Sequence, residues 1–210
     1  MKKIIILFGF LLSLTTAFAQ SENIDTILKK IAAEKDDDTR IDLINDLYSN
    51  ISEINPMLDM QNAQKLLLQS QKNKDKITEA LALSGIGNNY LSFGNNSKSV
   101  EYNLKATALA QETGNAKLIA ITKHNLAHDY KVLADYPKAI RLYLSAEESF
   151  SKLNDYVMQT FSLNGLAEVY LLMNNLDSAL IYVQRNYELC VQNNYYDYIC
   201  LWHLRDYKYL

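Results

Sequence analysis

Glycine, proline and cysteine are scarce in this chain of 210 residues, which has 6, 2 and 2 of them respectively. So few turn-forming residues over this length argue against a many-stranded sheet and favour long helices joined by short turns. No charge dominates either, since 21 basic residues face 24 acidic ones. We therefore predict no nucleic-acid partner. Hydrophobic residues make up 49% of the chain, which is enough for a substantial core.

The N-terminal segment 1–19 has the three parts of a signal peptide. Lys2 and Lys3 precede an apolar stretch over 4–14, and Ala17-Phe18-Ala19 follows as a small-x-small cleavage site. We predict cleavage after Ala19 and a periplasmic or secreted protein, with an uncleaved anchor as the alternative. Loss of the two lysines leaves 19 basic against 24 acidic residues, a net charge of −5. No later segment is long and apolar enough to span a membrane.

An internal repeat organises most of the remaining chain. Its landmarks are three tyrosines at equal intervals, Tyr90, Tyr130 and Tyr170. A small residue stands three positions before each tyrosine: Gly87, Ala127 and Ala167. Glycine or asparagine, which accept the left-handed conformation that ends helices, recurs between the segments: Gly94, Gly114, Asn154, Asn174 and Asn194.

Helical hairpins that stack on one another explain this pattern. Small residues let the two antiparallel helices of a hairpin approach closely, while large aliphatic and aromatic residues fill the space between hairpins. A single hairpin cannot bury its apolar face alone, so such units form a continuous array. The predicted fold is all-α, an α-solenoid of stacked antiparallel helix hairpins.

The repeat resembles the tetratricopeptide repeat (TPR) family. Leu126-Ala127-x-x-Tyr130 followed by Ala139-x-x-x-Tyr143 matches the family signature best. The preceding repeat departs from it, since Ser99 and Asn103 replace the later alanine and aromatic residue. The period of 40 residues exceeds the usual 34, which implies helices about a turn longer. Exported bacterial signalling proteins with lengthened repeats are the subtype that it is most similar to.

The repeat register predicts seven segments. They are a signal peptide (1–19), an N-terminal helix (20–36), a divergent TPR-like unit (37–75), three TPR units (76–115, 116–155 and 156–195) and the first helix of an incomplete unit (196–210).

The resemblance also implies a binding groove, because the first helices of TPR units line a concave surface. The corresponding residues mix amides, charges and apolar groups: Ser84, Asn88, Leu91, His124, Asn125, His128, Lys131, Asn164 and Glu168. Asn88 and Asn125 match the two asparagines with which one subtype clamps a carboxylate. Its basic positions correspond here to Ser84, Phe161 and Gly165, so a clamp for a charged C-terminus is not expected.

A zinc site is the alternative for two of these residues. His124 and His128 are four residues apart on one helix face, as in the H-E-x-x-H motif, but Asn125 occupies the place of the catalytic glutamate. Glu168 occupies the position of His128 in the next repeat and would supply a third ligand. Two groove histidines are the simpler interpretation, so we predict no metal, no cofactor and no catalytic residue.

The two cysteines, Cys190 and Cys200, fall at similar heights on neighbouring antiparallel helices. An exported chain meets an oxidising compartment, where a disulfide would persist. Helix axes packed about 8–10 Å apart argue for two buried thiols instead, because a disulfide needs Cα atoms within about 4.4–6.8 Å. Both states remain open from the sequence.

Three functions are compatible with these observations. The first is a non-catalytic scaffold that binds an unidentified protein or peptide outside the cytoplasm. The second is the sensing input region of a signal-transduction protein, such as a kinase or transcription regulator, with its output part elsewhere. The third, a metal-dependent enzyme, would depend on His124, His128 and Glu168. A reading frame that continues past Leu210 into a membrane segment would favour the second.

Overall fold

The structure is a computed structural model of the chain, and it describes residues 24–52 and 55–194. Within these ranges the chain forms nine helices and no strand. The helices are α1 (24–33), α2 (Asp37–Ser52), α3 (Pro56–Asn73), α4 (Lys76–Ser92), α5 (Asn96–Thr113), α6 (Ala116–Val132), α7 (Tyr136–Leu153), α8 (Tyr156–Leu172) and α9 (Leu176–Gln192). This confirms the all-α prediction.

The chain divides into two compact units, of which the first ends at Asn55 and the second begins at Pro56. In the first unit, α1 and α2 bury an apolar stripe that consists of Ile24, Ile31, Ile41, Ile44, Leu47 and Ile51. Arg40 crosses between the two helices, since its Nη1 donates to the carbonyl oxygen of Glu34 at 3.0 Å and its Nη2 lies 2.5 Å from Asp37 Oδ1.

The predicted signal peptide and the predicted incomplete unit at 196–210 lie outside the described residues. Within the described ranges, the structure contains no helix that combines the length and hydropathy of a membrane span.

In the second unit, each of the helices α3–α8 packs against the next one along the chain. Asparagine or aspartate caps the start of every helix from α4 to α9 and accepts the backbone N–H three residues on: Asp75, Asn95, Asn115, Asp135, Asp155 and Asn175. The five predicted turn residues all have positive φ, between 56° and 74°. The predicted turn residues thus follow the ends of α4, α5, α7, α8 and α9, whereas Ala134, which has φ of 58° after α6, was not predicted.

The small residues at the repeated position lie at the close contact within each hairpin. Gly87, Ala127 and Ala167 are buried. A Cβ atom added to Gly87 would meet Asn103 Cγ on α5 at 2.9 Å. Since real Cβ atoms essentially never come that close, a larger residue at this position must displace the Asn103 side chain or push the two helices apart.

Between hairpins, the contact changes in character along the chain. Asn89 Nδ2 on α4 donates to Asp59 Oδ2 on α3 at 2.8 Å. One repeat later the equivalent pair is Ser99, whose Oγ donates to Asp129 Oδ1 at 2.5 Å.

One repeat further, the equivalent residues are Ala139 and Val169, which lie in an apolar cluster with Ala127, Tyr143 and Leu166. At this position of the repeat, polar pairs thus join the earlier hairpins, and hydrophobic packing joins the later ones.

Asp59 is the exceptional member of these pairs, because its side chain is only 3% exposed and its Oδ1 has no hydrogen-bond partner among the described residues. Burial raises the pKa of Asp59 from 3.8 to about 6, and the hydrogen bond from Asn89 opposes this rise only in part. Ionised Asp59 therefore destabilises the folded chain above pH 6. This cost disappears as the pH falls from 6 towards 4, because the folded state binds the proton first.

We expect Ala127→Leu to lower the free energy of unfolding by about 1–3 kcal/mol, because the added atoms overpack the contact between α6 and α7. Ala108→Leu is the matched control, since Ala108 is exposed on α5. Urea unfolding followed by circular dichroism measures both variants. Equal stability of the two would contradict the assignment of Ala127 to the close contact.

We expect Asp59→Asn to raise the free energy of unfolding above that of the original chain at pH 7.5. This advantage should shrink by on the order of 1 kcal/mol between pH 7.5 and pH 5, because the original chain regains stability when Asp59 is protonated. Urea unfolding at several pH values measures it. Asp46→Asn, at an exposed acid of α2, is the control, and a difference independent of pH would count against the buried carboxylate.

Candidate functional site

The first helices of the three predicted TPR units, α4, α6 and α8, lie side by side, since α4 contacts α6 and α6 contacts α8. We call the surface that they share the first-helix face. All nine predicted groove residues lie on these helices. They differ in accessibility: Asn88 and His128 are exposed, Ser84 is buried, and the other six are half-buried.

Ser84 and Asn125 connect α4 to α6 beneath the first-helix face. Asn125 Nδ2 donates to Ser84 Oγ at 2.9 Å, and Ser84 Oγ donates to Asn103 Oδ1 on α5 at 2.8 Å. Ser84 is only 2% exposed. It therefore orients the Asn125 amide and is itself out of reach of a ligand.

Asn103 is the centre of this network, although it lies on a second helix and was not among the predicted site residues. Its Nδ2 donates to Asp129 Oδ2 at 2.8 Å and lies 3.4 Å from Asn88 Oδ1. Burial raises the pKa of Asp129, and the hydrogen bonds from Ser99 and Asn103 act against this rise. The departures of Ser99 and Asn103 from the TPR signature were the only sign of this network in the sequence.

His124 is a packed residue with the chemistry of a neutral imidazole. Its ring meets the edge of Tyr143 with centroids 5.3 Å apart, and its Nδ1 lies 3.0 Å from Ser162 Oγ on α8. Burial, together with the nearby His128 and Lys131, lowers the pKa of His124 to about 3. It therefore does not carry a proton near neutral pH.

An ion pair between Lys131 on α6 and Glu168 on α8 crosses the first-helix face. The two side chains are 13% and 29% exposed, so the pair is partly sheltered from water. Desolvation and the Lys131 ammonium group lower the pKa of the adjacent His128, although Glu168 opposes this effect. At neutral pH the two charges compensate each other, and the histidines beside them are neutral.

Asn164 on α8 is held from the second helix of its own hairpin. Asn186 Nδ2 on α9 donates to Asn164 Oδ1 at 2.6 Å. Asn186 is buried at the position that Ala106 and Ala146 occupy in the other repeats. The half-buried amide of Asn164 is thus oriented by a partner, like that of Asn125.

The zinc arrangement of His124, His128 and Glu168 finds no support in the described ranges. Among the residues that the structure describes, no group of three His, Cys, Asp or Glu side chains could hold a metal ion. Glu168 is engaged with Lys131, and His124 contacts Ser162 and Tyr143. His124 is a packed residue of the first-helix face, and His128 lies exposed on it.

A clamp for a free carboxylate also finds no support in the geometry. Of its two matching asparagines, Asn88 is exposed, whereas Asn125 is hydrogen-bonded to Ser84. Lys131 is a cation on the same face, and Glu168 already compensates its charge. An incoming carboxylate would therefore have to compete with Glu168.

The disulfide between Cys190 and Cys200 stays a prediction, because Cys200 lies outside the described residues. Cys190 is fully buried near the end of α9, and its Sγ lies 3.6 Å from Asn186 Oδ1. Burial raises the pKa of the Cys190 thiol.

Comparison with known proteins identifies the repeat. A model of the tetratricopeptide repeat family matches residues 118–190. No curated protein sequence shows a significant match to the chain.

Three crystal structures are similar to the chain in fold. BtubC (BKLC) from P. vanneervenii has 20% sequence identity, with 81% of this chain and 70% of that one covered and a TM-score of 0.63. A Rap protein complexed with competence and sporulation factor has 18% sequence identity and a TM-score of 0.66, and the match covers 84% of this chain and 52% of that one. A STAND signal-transduction ATPase with a TPR sensor from Pyrococcus horikoshii has 23% sequence identity and a TM-score of 0.61, and the match covers 86% of this chain and 30% of that one.

The chain spans about half the length of the Rap protein and about a third of the STAND protein. At these identities the likeness concerns the fold. Together with the family match, it identifies residues 118–190 as tetratricopeptide repeats within a TPR-like helical solenoid.

Proposed function

We propose that this chain is a non-catalytic scaffold that binds a polypeptide on the first-helix face, outside the cytoplasm. The observation that carries the proposal is the polar character of this face, whose two charged residues among the predicted groove residues form an ion pair. Oriented or exposed amides line it at Asn88, Asn125 and Asn164, and the Lys131–Glu168 pair compensates its charges internally. Side-chain amides carry both donors and acceptors, so they can hydrogen-bond a peptide backbone whatever its sequence.

The groups nearest to catalytic chemistry support a binding role as well. The pKa of His124 lies at about 3, and that of His128 is also lowered. A general base works best with a pKa close to the operating pH. These histidines are therefore poorly suited to acid–base catalysis near neutral pH.

Location outside the cytoplasm rests on the signal-peptide pattern of residues 1–19. A peptide as the ligand is consistent with the likeness to the Rap protein, whose structure is complexed with competence and sporulation factor. The net charge of −3 for the whole chain does not favour a nucleic acid.

A second candidate function is the sensing input region of a signal-transduction protein. The likeness to the STAND protein favours it, because that protein carries a TPR sensor. In this case the first-helix face would still bind the ligand, and the binding event would be passed to an output part. Sequencing the gene beyond the codon for Leu210 separates the two candidates.

Site-specific photo-crosslinking in the intact cell envelope tests the binding proposal. A photoreactive residue at position 88 should capture one polypeptide, whereas the same group at the exposed position 111 on α5 should not. The captured polypeptide then serves as the ligand for titrations with purified variants. Capture of the same polypeptide at both positions would contradict a site on the first-helix face.

We expect Asn88→Ala, Asn125→Ala and Lys131→Ala each to weaken binding of that polypeptide about three- to tenfold, the effect of losing one hydrogen bond. The matched controls are Gln111→Ala, an exposed amide of α5, and Lys105→Ala, which removes an ion-paired lysine from the same helix. Calorimetric titration measures the affinities, and circular dichroism confirms folding. If the first three variants keep their affinity and removal of residues 195–210 abolishes binding, the binding site lies in the C-terminal segment and not on the first-helix face.

A further inference from the structure

The first-helix face carries exposed apolar side chains as well as amides. Val132 stands four residues after His128 on α6, and Leu172 stands four residues after Glu168 on α8. Side chains four positions apart lie on the same side of a helix, so both residues belong to the first-helix face. Val132 is 43% exposed and Leu172 is 58% exposed. They therefore present apolar area on the surface where the proposed ligand binds.

Further exposed apolar residues adjoin these two. Val132 and Leu172 are the last residues of α6 and α8, and these two helices contact each other. The residues that follow α4, α6 and α8 are Phe93, Leu133 and Met173, which are between 44% and 47% exposed. We call the surface formed by these five residues the apolar end of the first-helix face. Single exposed apolar residues are common on proteins, whereas a group of them at one place marks an interaction site.

The ion pair beside the apolar end determines which ligand groups suit it. Lys131 directly precedes Val132, and its ammonium group is bound to Glu168 on α8. Because the ammonium group is held there, the methylene groups of Lys131 extend from α6 towards α8 and add apolar area. A charged ligand group would lose its hydration here without gaining an uncompensated partner from this pair. An uncharged apolar side chain has no such cost.

The apolar end lies within reach of a polypeptide that is bound to the amides. Val132 stands seven residues after Asn125 on α6, which corresponds to about 10 Å along the helix axis. An extended polypeptide advances about 3.3 Å per residue, so about three of its residues span this distance. The hydrogen bond from Asn125 to Ser84 is two helical turns away from Val132. Substitutions at the apolar end therefore leave the oriented amide in place.

We propose that the apolar end binds an uncharged aliphatic or aromatic side chain of the polypeptide ligand, next to the backbone that the amides hold. This inference rests on the proposed function and adds the chemical class of the ligand, an extended segment with an apolar anchor residue. Continuity with the amides of the same face favours a polypeptide as the occupant. The Lys131–Glu168 pair has no excess positive charge to offer to lipid headgroups.

Short random peptides displayed on phage and selected on the full chain are the probe for this inference. We expect the selected peptides to be enriched in aliphatic and aromatic residues and depleted in charged ones. In fluorescence polarisation titrations with synthetic copies of these peptides, Val132→Thr and Leu172→Asn should each weaken binding about three- to tenfold, the effect of losing partial burial of one aliphatic side chain. Leu104→Asn is the matched control, because Leu104 is 46% exposed on the second helix α5, and it should leave the affinity unchanged.

The other outcomes separate this inference from the proposed function. Peptides that bind both apolar-end variants with full affinity, but bind Asn88→Ala or Asn125→Ala more weakly, would overturn the apolar anchor and leave the proposed function standing. Selection of charged peptides would overturn the anchor as well. If no peptide is selected, or if none of these substitutions changes the affinity, both proposals fail. If the unaltered chain is a dimer in analytical ultracentrifugation and Leu172→Asn makes it a monomer, a second copy covers the apolar end and the inference is wrong.

Discussion

The close approach of α7 to α8 at Tyr143 and Gly165 holds the centre of the array together. A Cβ atom added to Gly165 would lie 2.4 Å from Tyr143 Cζ, so only glycine leaves room for the ring. Tyr143 is fully buried, and its ring also meets His124 on α6. One side chain thus joins three helices, and it places two of the first helices that carry the candidate site.

The preceding repeat solves the same packing problem with polar groups. Asn103 occupies the position of Tyr143 one repeat earlier, and its amide takes part in hydrogen bonds with Ser84 and Asp129. Buried polar groups contribute little net stability, but each has partners at defined places, so a shifted register would leave them unsatisfied. We infer that this network defines how the first two predicted TPR units stack, whereas the apolar cluster around Tyr143 has the corresponding place one repeat later.

This division has a consequence for the candidate site. The groups that stack the early hairpins also orient the amides of the first-helix face, because Ser84 contacts both Asn103 and Asn125. A scaffold for peptide recognition gains from such preorganised polar groups, since fewer of them have to be ordered when the ligand binds. The Lys131–Glu168 pair acts similarly, because each charge already has its partner before a ligand arrives.

The amino-acid sequence alone determined the helical hairpins of the repeat region. Tyrosines, small residues and turn residues recurring at a constant interval predicted the all-α fold, the close contact at Ala127 and the left-handed turns, all of which the structure contains. These features depend on local preferences and on a regular spacing, and both can be read from one chain. The departures at Ser99 and Asn103 were visible too, but their partners were not.

Only the tertiary structure decided which of the predicted site residues are accessible. Ser84 and Asn88 are one helical turn apart on α4, yet the first is buried between Asn103 and Asn125, whereas the second is exposed and touches Asn103 alone of these two. The Lys131–Glu168 pair joins residues 37 positions apart, which is not the repeat spacing. Side-chain partners across packed helices depend on the distance and rotation between those helices, and a periodic pattern within one helix does not contain that information.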